Sequence, residues 1–397
     1  MKIIILLTRG FQTLDGGSLR VLYLSRYLME EGHFINFIVP SKDDSVGIDK
    51  RFQNRFSNQY KTRYSRFLPQ GNISSKRRYL VYFIMKFLLS KVINSIKADL
   101  VYCQNLPSAE VLISSRNPAP KILDIFDLWS HYANIYKNPL SRNILSRYLK
   151  WRECKVFQKM DHLVSCTPLT KKIIEDTTGI VPEKITVIYD GVDLSLFQKR
   201  PKNDELRKKL GFAPQDFIIT FHGGIKKHDG LHLLLEAIAI IKNSVPVKAQ
   251  IIGMGNECDN LKLLAKRLGI LNRVKFIGTI EHESVPDYLS ISQAGIITRL
   301  TWQGDIAASM MECMASSLPV ISSRMEGIED YFTDRCDVLL FQIGDASDLS
   351  KSIIELYSDE KLYSTIQNNA RKSISRFDRK RNAQEITQFL KKFSGKE

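Results

Sequence analysis

Short apolar runs alternate with amphipathic stretches along the whole chain. KIIILLT (2–8) is followed by GGSLRVLYLSRYLMEEGH (16–33), whose apolar residues recur at helical spacing, and then by FINFIVP (34–40). ADLVYCQN (98–105), KILDIFD (121–127), DHLVSCT (161–167) and KITVIYD (184–190) continue the series. Runs this rich in Val, Ile and Leu belong to strands covered on both faces, and helices between them imply parallel pairing. The pattern breaks at LFQKRPKNDELRKKLGFAPQD (196–216), which is polar and holds two prolines. It resumes with FIITFHGG (217–224), KAQIIGMGNE (248–257), RVKFIGTI (273–280), AGIITRL (294–300), LPVISS (318–323) and VLLFQIGD (338–345). The predicted fold class is therefore α/β: two tandem doubly wound, Rossmann-like parallel-sheet domains facing across a cleft. Residues 1–195 are expected to form the first domain, 196–215 the hinge and 216–375 the second. A terminal helix over 376–397 is expected to pack back on the first. Ligands of such sheets bind beyond the carboxyl ends of the strands, so the expected site is the cleft.

A length of 397 residues suits two domains, and 44% hydrophobic residues suits an ordinary folded chain. Cys103, Cys154, Cys166, Cys258, Cys313 and Cys336 are scattered with no Cys-x-x-Cys, which suggests neither a zinc site nor a disulfide framework. A reducing compartment follows, and a cytoplasmic location is expected. The first apolar run, Ile3–Leu7, is too short for a signal peptide core and reads as a buried strand. Net charge is +16, and 49–95 holds eleven Lys or Arg against one acid. A solvated face, a nucleic-acid patch and a membrane-surface patch compete for this stretch. YLVYFIMKFLLSKVINSIKADL (79–100) weighs against nucleic acid. It is apolar nearly all round but interrupted by Lys86 and Lys91, so it reads either as a core helix with snorkelling lysines or as a peripheral contact with anionic lipid. The second alternative would put the protein on the inner face of the plasma membrane.

Three strands of the second half end in glycine: at Gly223-Gly224, at Gly253 with Gly255, and at Gly278. Glycine there lets backbone approach a phosphate, although each alone is also an ordinary turn residue. In TWQGDIAASMMECMASS (301–317) a single carboxylate, Glu312, lies inside a small-residue apolar stretch. A helix opening at Gly304-Asp305 would aim free N–H groups at a diphosphate. Glu312, about 10 Å further along the axis, would accept hydrogen bonds from ribose hydroxyls. Ala307, Ala308 and Ser309 would let the nucleotide lie close. The plainer alternative makes Asp305 an N-cap and Glu312 a partly exposed helix residue.

The segments VIYDGVDLSLF (187–197), GGIKKHDGLHLLLEA (223–237), IIGMGNE (251–257), RVKFIGTIEHESVPDYL (273–289) and ECMASSLPVISSRMEGIEDYF (312–332) resemble family 4 (group 1) glycosyltransferases, which have the GT-B fold. GGSLRVLYLSRYLMEEGH and HLVSCTPLTKKIIED (162–176) extend the likeness over nearly the whole chain. The resemblance implies transfer of a hexose-type sugar, with retention, from a UDP- or GDP-sugar to a glycan or lipid-linked acceptor. Glu312 matches the second Glu of the family's Glu–seven–Glu motif and would hold the ribose. Gly17 matches the glycine loop after the first strand, and Gly223 the glycine that opens the phosphate loop. The family works without a catalytic metal, and no Asp-x-Asp metal motif occurs in this sequence.

Several positions depart from the pattern. The first Glu of the motif falls on Gly304, with Asp305 beside it as a replacement. The usual phosphate-loop Arg and Lys are Gly224 and Asp229, so Lys226 and Lys227 are the candidate cations. Phe126 stands where relatives carry histidine, leaving Asp127 either to orient the acceptor hydroxyl or to cap the next helix. His131 is a candidate acceptor-side residue. Two other functions fit the same fold: a nucleotide-sugar epimerase and a non-catalytic nucleotide- or glycan-binding subunit.

Overall fold

The computed structural model describes residues 1–7, 16–39, 60–64, 86–131, 139–301 and 306–393. They form two compact units, one holding Met1–Asp190 and the chain from Lys380 onward, the other 191–301 and 306–379.

Unit 1 is built on β1 (Lys2–Leu6), β2 (Phe34–Val39), β3 (Tyr60–Tyr64), β4 (Leu100–Gln104), β5 (Lys121–Ile125), β6 (His162–Ser165) and β7 (Ile185–Val187). They form one sheet in the order β3-β2-β1-β4-β5-β6-β7, with every neighbouring pair parallel. Successive side chains of a strand point to opposite faces. Ile4 and Leu6 therefore enter one core with Val101, Leu106, Val156 and Phe157. Ile3 and Ile5 enter another with Tyr102, Leu24 and Leu28. Two buried faces explain why the strand sequences read as unbroken apolar runs. Helices α1 (Gly16–Glu30), α2 (86–94), α3 (Asn105–Leu112), α4 (Pro139–Phe157) and α5 (Pro168–Thr178) connect these strands. The terminal helix (Arg379–Phe393) adds Ile386 and Leu390 to the core beside α1.

Unit 2 repeats the plan with β8 (Phe217–His222), β9 (Val247–Ile252), β10 (Val274–Gly278), β11 (Ala294–Ile297), β12 (Val320–Ser323) and β13 (Leu339–Phe341). Their order is β10-β9-β8-β11-β12-β13, again all parallel. In each sheet the order reverses beside the first strand, between β1 and β4 and between β8 and β11. That reversal opens a crevice at the carboxyl ends of the two strands.

Three stretches refine the expected organisation. The division between units falls at Asp190–Gly191, and 196–215 belongs to unit 2. Within it α6 (Asp204–Lys209) buries Arg207, whose guanidinium donates to the carbonyls of Ala213, Pro214, Asp216 and Ile291, so the polar stretch is anchored by its charge. Part of the basic region 49–95 is edge strand β3, whose YKTRY places two basic residues, Lys61 and Arg63, two apart. The described part of the 79–100 segment is α2, which sinks Leu89 and Ile93 into the core and leaves Lys91 exposed. Residues 49–59 and 65–85 of this basic stretch lie outside the described residues. No helix among the described residues is long and apolar enough to cross a membrane.

Candidate functional site

Three of the candidate residues, Gly223, Lys226 and Lys227, are carried by the chain leaving β8, next to the strand-order reversal of unit 2. Gly223 and Gly224 are exposed, Ile225 is buried, and Lys226 and Lys227 are exposed. The loop then makes a single 3₁₀ turn, Lys227–Asp229, before α7 (Leu231–Ile241). Its position is fixed by hydrogen bonds. The buried Asp229 carboxylate accepts the Lys226 N–H at 2.9 Å. The Asp229 carbonyl accepts Thr298 Oγ1–H at 2.6 Å, and Leu300 N–H donates to the His228 carbonyl at 2.9 Å. The lysine loop is thus pinned to the chain leaving β11. Asp229, where relatives carry Lys, is a structural residue here.

The other glycine ends lie against the same loop. Gly223 N–H donates to Ile252 at 3.0 Å, Ile225 N–H to Met254 at 3.1 Å, and Gly253 N–H to Gly278 at 2.8 Å. Gly253 has φ of +125°, and a Cβ on it would lie 1.9 Å from the Gly223 carbonyl oxygen. Gly253→Ala is expected to cost about 2–3 kcal/mol through this clash and the strained backbone, read as a lowered denaturant midpoint of unit 2.

After α8 (Cys258–Arg267) and α9 (Val285–Ser290), the helix that carries Glu312, α10, covers Ala308–Ala315 and so opens later than Gly304-Asp305. Ala307 has ψ of 126°, an extended value that stops the helix from starting earlier. Gly304 and Asp305 lie outside the described residues. The first turn has no side-chain cap, and Ala308 and Ser309 are partly exposed. Glu312 stands about 6 Å along the axis from Ala308. The helix lies tight on β11: a Cβ on Gly295 would be 2.6 Å from Cys313 Sγ.

Glu312 is 3% exposed. It is not the partly exposed helix residue of the plainer alternative. Its Oε2 accepts from His222 Nε2 at 2.6 Å and its Oε1 from His282 Nε2 at 2.8 Å. His222 is the last residue of β8, and His282 opens the turn His282–Ser284 beyond β10. The His282 ring packs 5.2 Å from that of Phe197. One carboxylate therefore ties together two strand ends and the segment after Gly191. Burial alone would raise the Glu312 carboxyl. The hydrogen bonds and charges of the two imidazoles outweigh it and hold the group well below the usual carboxylate range. Each oxygen uses one lone pair on histidine and keeps another for a ligand. His222 Nδ1 is buried with no hydrogen-bond partner among the described residues.

The depressed carboxyl has a consequence for stability. Its contribution is present above the ordinary glutamate value of 4.5 and is lost as pH falls from there through the lower folded value. Wild-type unfolding free energy is therefore expected to fall more steeply below about pH 4.5 than that of Glu312→Gln, read by denaturant titration at stepped pH.

Unit 1 presents Gly17 as the second residue of α1, after β1; its carbonyl accepts from Gln104 Nε2 at 3.0 Å. Asp127 and His131 follow the carboxyl end of β5 and are partly exposed. Among the described residues, no group of three His, Cys, Asp or Glu side chains is placed to hold a metal ion.

The sequence gives little sign of three features. His222 and His282 lie 90 and 30 residues from Glu312 and meet it only through the strand order. Arg299, partly exposed at the end of β11, adds its charge beside His228. In unit 1, Arg20 of α1 is 3% exposed and Asp124 of β5 fully buried. Arg20 Nε donates to Asp124 Oδ2 at 2.8 Å and Tyr102 OH to the same oxygen at 2.5 Å. The guanidinium also donates to the carbonyls of Ile188 and Tyr189 at 2.9 and 2.7 Å.

Against known proteins, residues 14–196 match the model Glycosyltransferase Family 4 and residues 202–373 the model Glycosyl transferases group 1. The chain belongs to the family 4 (group 1) glycosyltransferases. It is 26% identical over 210 residues to N-acetyl-alpha-D-glucosaminyl L-malate synthase of Bacillus anthracis, covering 52% of this chain and only 54% of that relative. It is 23% identical over 314 residues to the putative glycosyltransferase EpsD of Bacillus subtilis, covering 75% and 77%. This glycosyltransferase also superposes on Anabaena HepE, solved with UDP and glucose, with a TM-score of 0.76 at 20% identity over 99% of this chain and 100% of that one. The shared fold is GT-B.

Proposed function

We propose that the protein transfers a hexose-type sugar from a UDP- or GDP-sugar to a hydroxyl of a glycan or lipid-linked acceptor, with retention of configuration. The observation that carries this is Glu312: a fully buried carboxylate, kept ionised by two histidines, beside the strand-order reversal of unit 2. A ribose offers two vicinal hydroxyl donors for its two remaining lone pairs. The first-turn amides of α10 and the exposed Lys226 and Lys227 suit the diphosphate, whose charge grows as the glycosidic bond breaks. Gly223, Gly253 and Gly278 form the rim against which the nucleotide lies, with Ser309 beside it. On this reading no metal or other cofactor is required, because the chain's own cations meet the leaving-group charge. Asp127 and Asp305 serve the acceptor and donor-sugar ends, with His131 near the acceptor. UDP in the HepE complex supports UDP as the nucleotide to test first. Synthesis of cell-surface polysaccharide or glycoconjugate, in the cytoplasm and at the inner face of the membrane, is the setting that fits such an acceptor.

Incubation with labelled UDP- and GDP-sugars, with and without a membrane extract, tests the proposal. Label appearing in lipid or glycan is expected. An isomerised nucleotide-sugar would instead indicate an epimerase. Binding without turnover would indicate a non-catalytic subunit, the reading that Gly304 in place of the first Glu favours.

A further inference from the structure

The crevice of unit 2 opens between the carboxyl ends of β8 and β11. On the β8 side stand Lys226 and Lys227, in a loop that also holds the Asp229 carboxylate. That anion offsets one of the lysines and leaves the loop poorly charged for a diphosphate. The β11 side holds Arg299, two residues past the strand and partly exposed. Its backbone is held from both sides. The Ser323 hydroxyl, at the end of β12, donates to the Arg299 carbonyl at 2.8 Å. The neighbours Thr298 and Leu300 donate to the Asp229 and His228 carbonyls. Gly230 permits this closeness, because a Cβ there would lie 2.2 Å from the Thr298 carbonyl oxygen. Arg299 is thus fixed beside the lysine loop, on the opposite wall of the crevice.

Its charge reaches that loop. Burial, together with the cations Lys226 and Arg299, holds the His228 imidazole below its ordinary value against the pull of Asp229. Arg324, at the next strand end, is no rival, since its guanidinium is committed to the carboxylates of Glu329 and Asp334. We propose that Arg299 binds the diphosphate of the sugar donor, gripping it from the β11 side while Lys226 meets it from the β8 side. The assignment rests on the nucleotide-sugar reading above and names a donor-binding residue that the sequence pattern did not mark. A guanidinium suits the place because its planar fork offers two parallel N–H donors to one phosphate, whereas the lysines act as point charges on long stems. As the glycosidic bond breaks, the charge building on the leaving diphosphate would meet a cation already in position.

Wild type, Arg299→Gln and Arg299→Lys would be titrated with UDP or GDP, whichever wild type binds, and with the 2′,3′-dideoxy form of the same nucleotide. Arg299→Gln should weaken the diphosphate nucleotide roughly 10-fold or more, and Arg299→Lys by less. Removing the ribose hydroxyls should cost the same factor in Arg299→Gln as in wild type, because the nucleoside end of the site is untouched. In the ligand-free protein the His228 ring, followed by NMR and identified with His228→Gln, should titrate at higher pH in Arg299→Gln than in wild type. A merely structural role would not move that titration. Nucleotide affinity unchanged by Arg299→Gln, or loss of the ribose penalty in that variant, would overturn the assignment and leave the donor reading standing. Wild type that binds neither UDP nor GDP would overturn the donor reading itself, and this assignment with it.

Discussion

Glu312→Ala is expected to weaken UDP or GDP binding by about 1–3 kcal/mol, roughly 5- to 150-fold in Kd, in a calorimetric titration. The size follows from what is removed: a charged acceptor in a dry setting, whose two oxygens already hold His222 and His282 at 2.6 and 2.8 Å. The same change leaves two imidazole N–H groups without their acceptor. Stability is therefore expected to fall by about 1–3 kcal/mol as well. The two effects separate in Glu312→Gln, which keeps the volume and one acceptor oxygen. It should recover much of the stability, but little of the nucleotide affinity, because the amide supplies one acceptor where two ribose hydroxyls need partners.

The second large effect lies in unit 1. Arg20→Met should destabilise that unit by about 3–5 kcal/mol, the scale of stranding one member of a buried ion pair. Asp124, fully buried, would keep only the Tyr102 hydroxyl, and the carbonyls of Ile188 and Tyr189 would lose their donor. Those carbonyls stand just before Asp190, where the chain passes to unit 2. The first transition in a denaturant titration reports the loss. Arg20→Met/Asp124→Leu should recover part of it, because it removes the stranded charge together with its partner.

The legible part of the fold was its parallel strands, because a strand with two buried faces writes itself as an unbroken apolar run. Ile3 to Leu6 is the clearest case, since it feeds two cores at once. Strand β3 was hidden because YKTRY carries the charges of an edge. The stretch 196–215 reads as a linker because its polar residues face water, while its one decisive group, the buried Arg207 guanidinium, is satisfied by distant carbonyls that a local pattern does not contain. The site was legible to the same extent. Glu312 stood out as a lone carboxylate in a small-residue helix, and the glycine ends stood out after apolar runs. The histidines that charge and aim it were not legible, since the contact arises from strand order rather than from spacing. The late start of α10 was missed for a local reason: Gly304-Asp305 carries the composition of a helix start, but the extended backbone at Ala307 decides where the helix begins.

The most direct test of nucleotide binding by unit 2 is a titration of wild type and Glu312→Ala with UDP and with its 2′,3′-dideoxy analogue. Loss of the ribose hydroxyls should weaken binding to wild type about 10-fold or more and leave Glu312→Ala almost unaffected, since the variant has already lost the group they contact. An equal penalty in both proteins, or none in wild type, would mean that Glu312 does not hold a ribose.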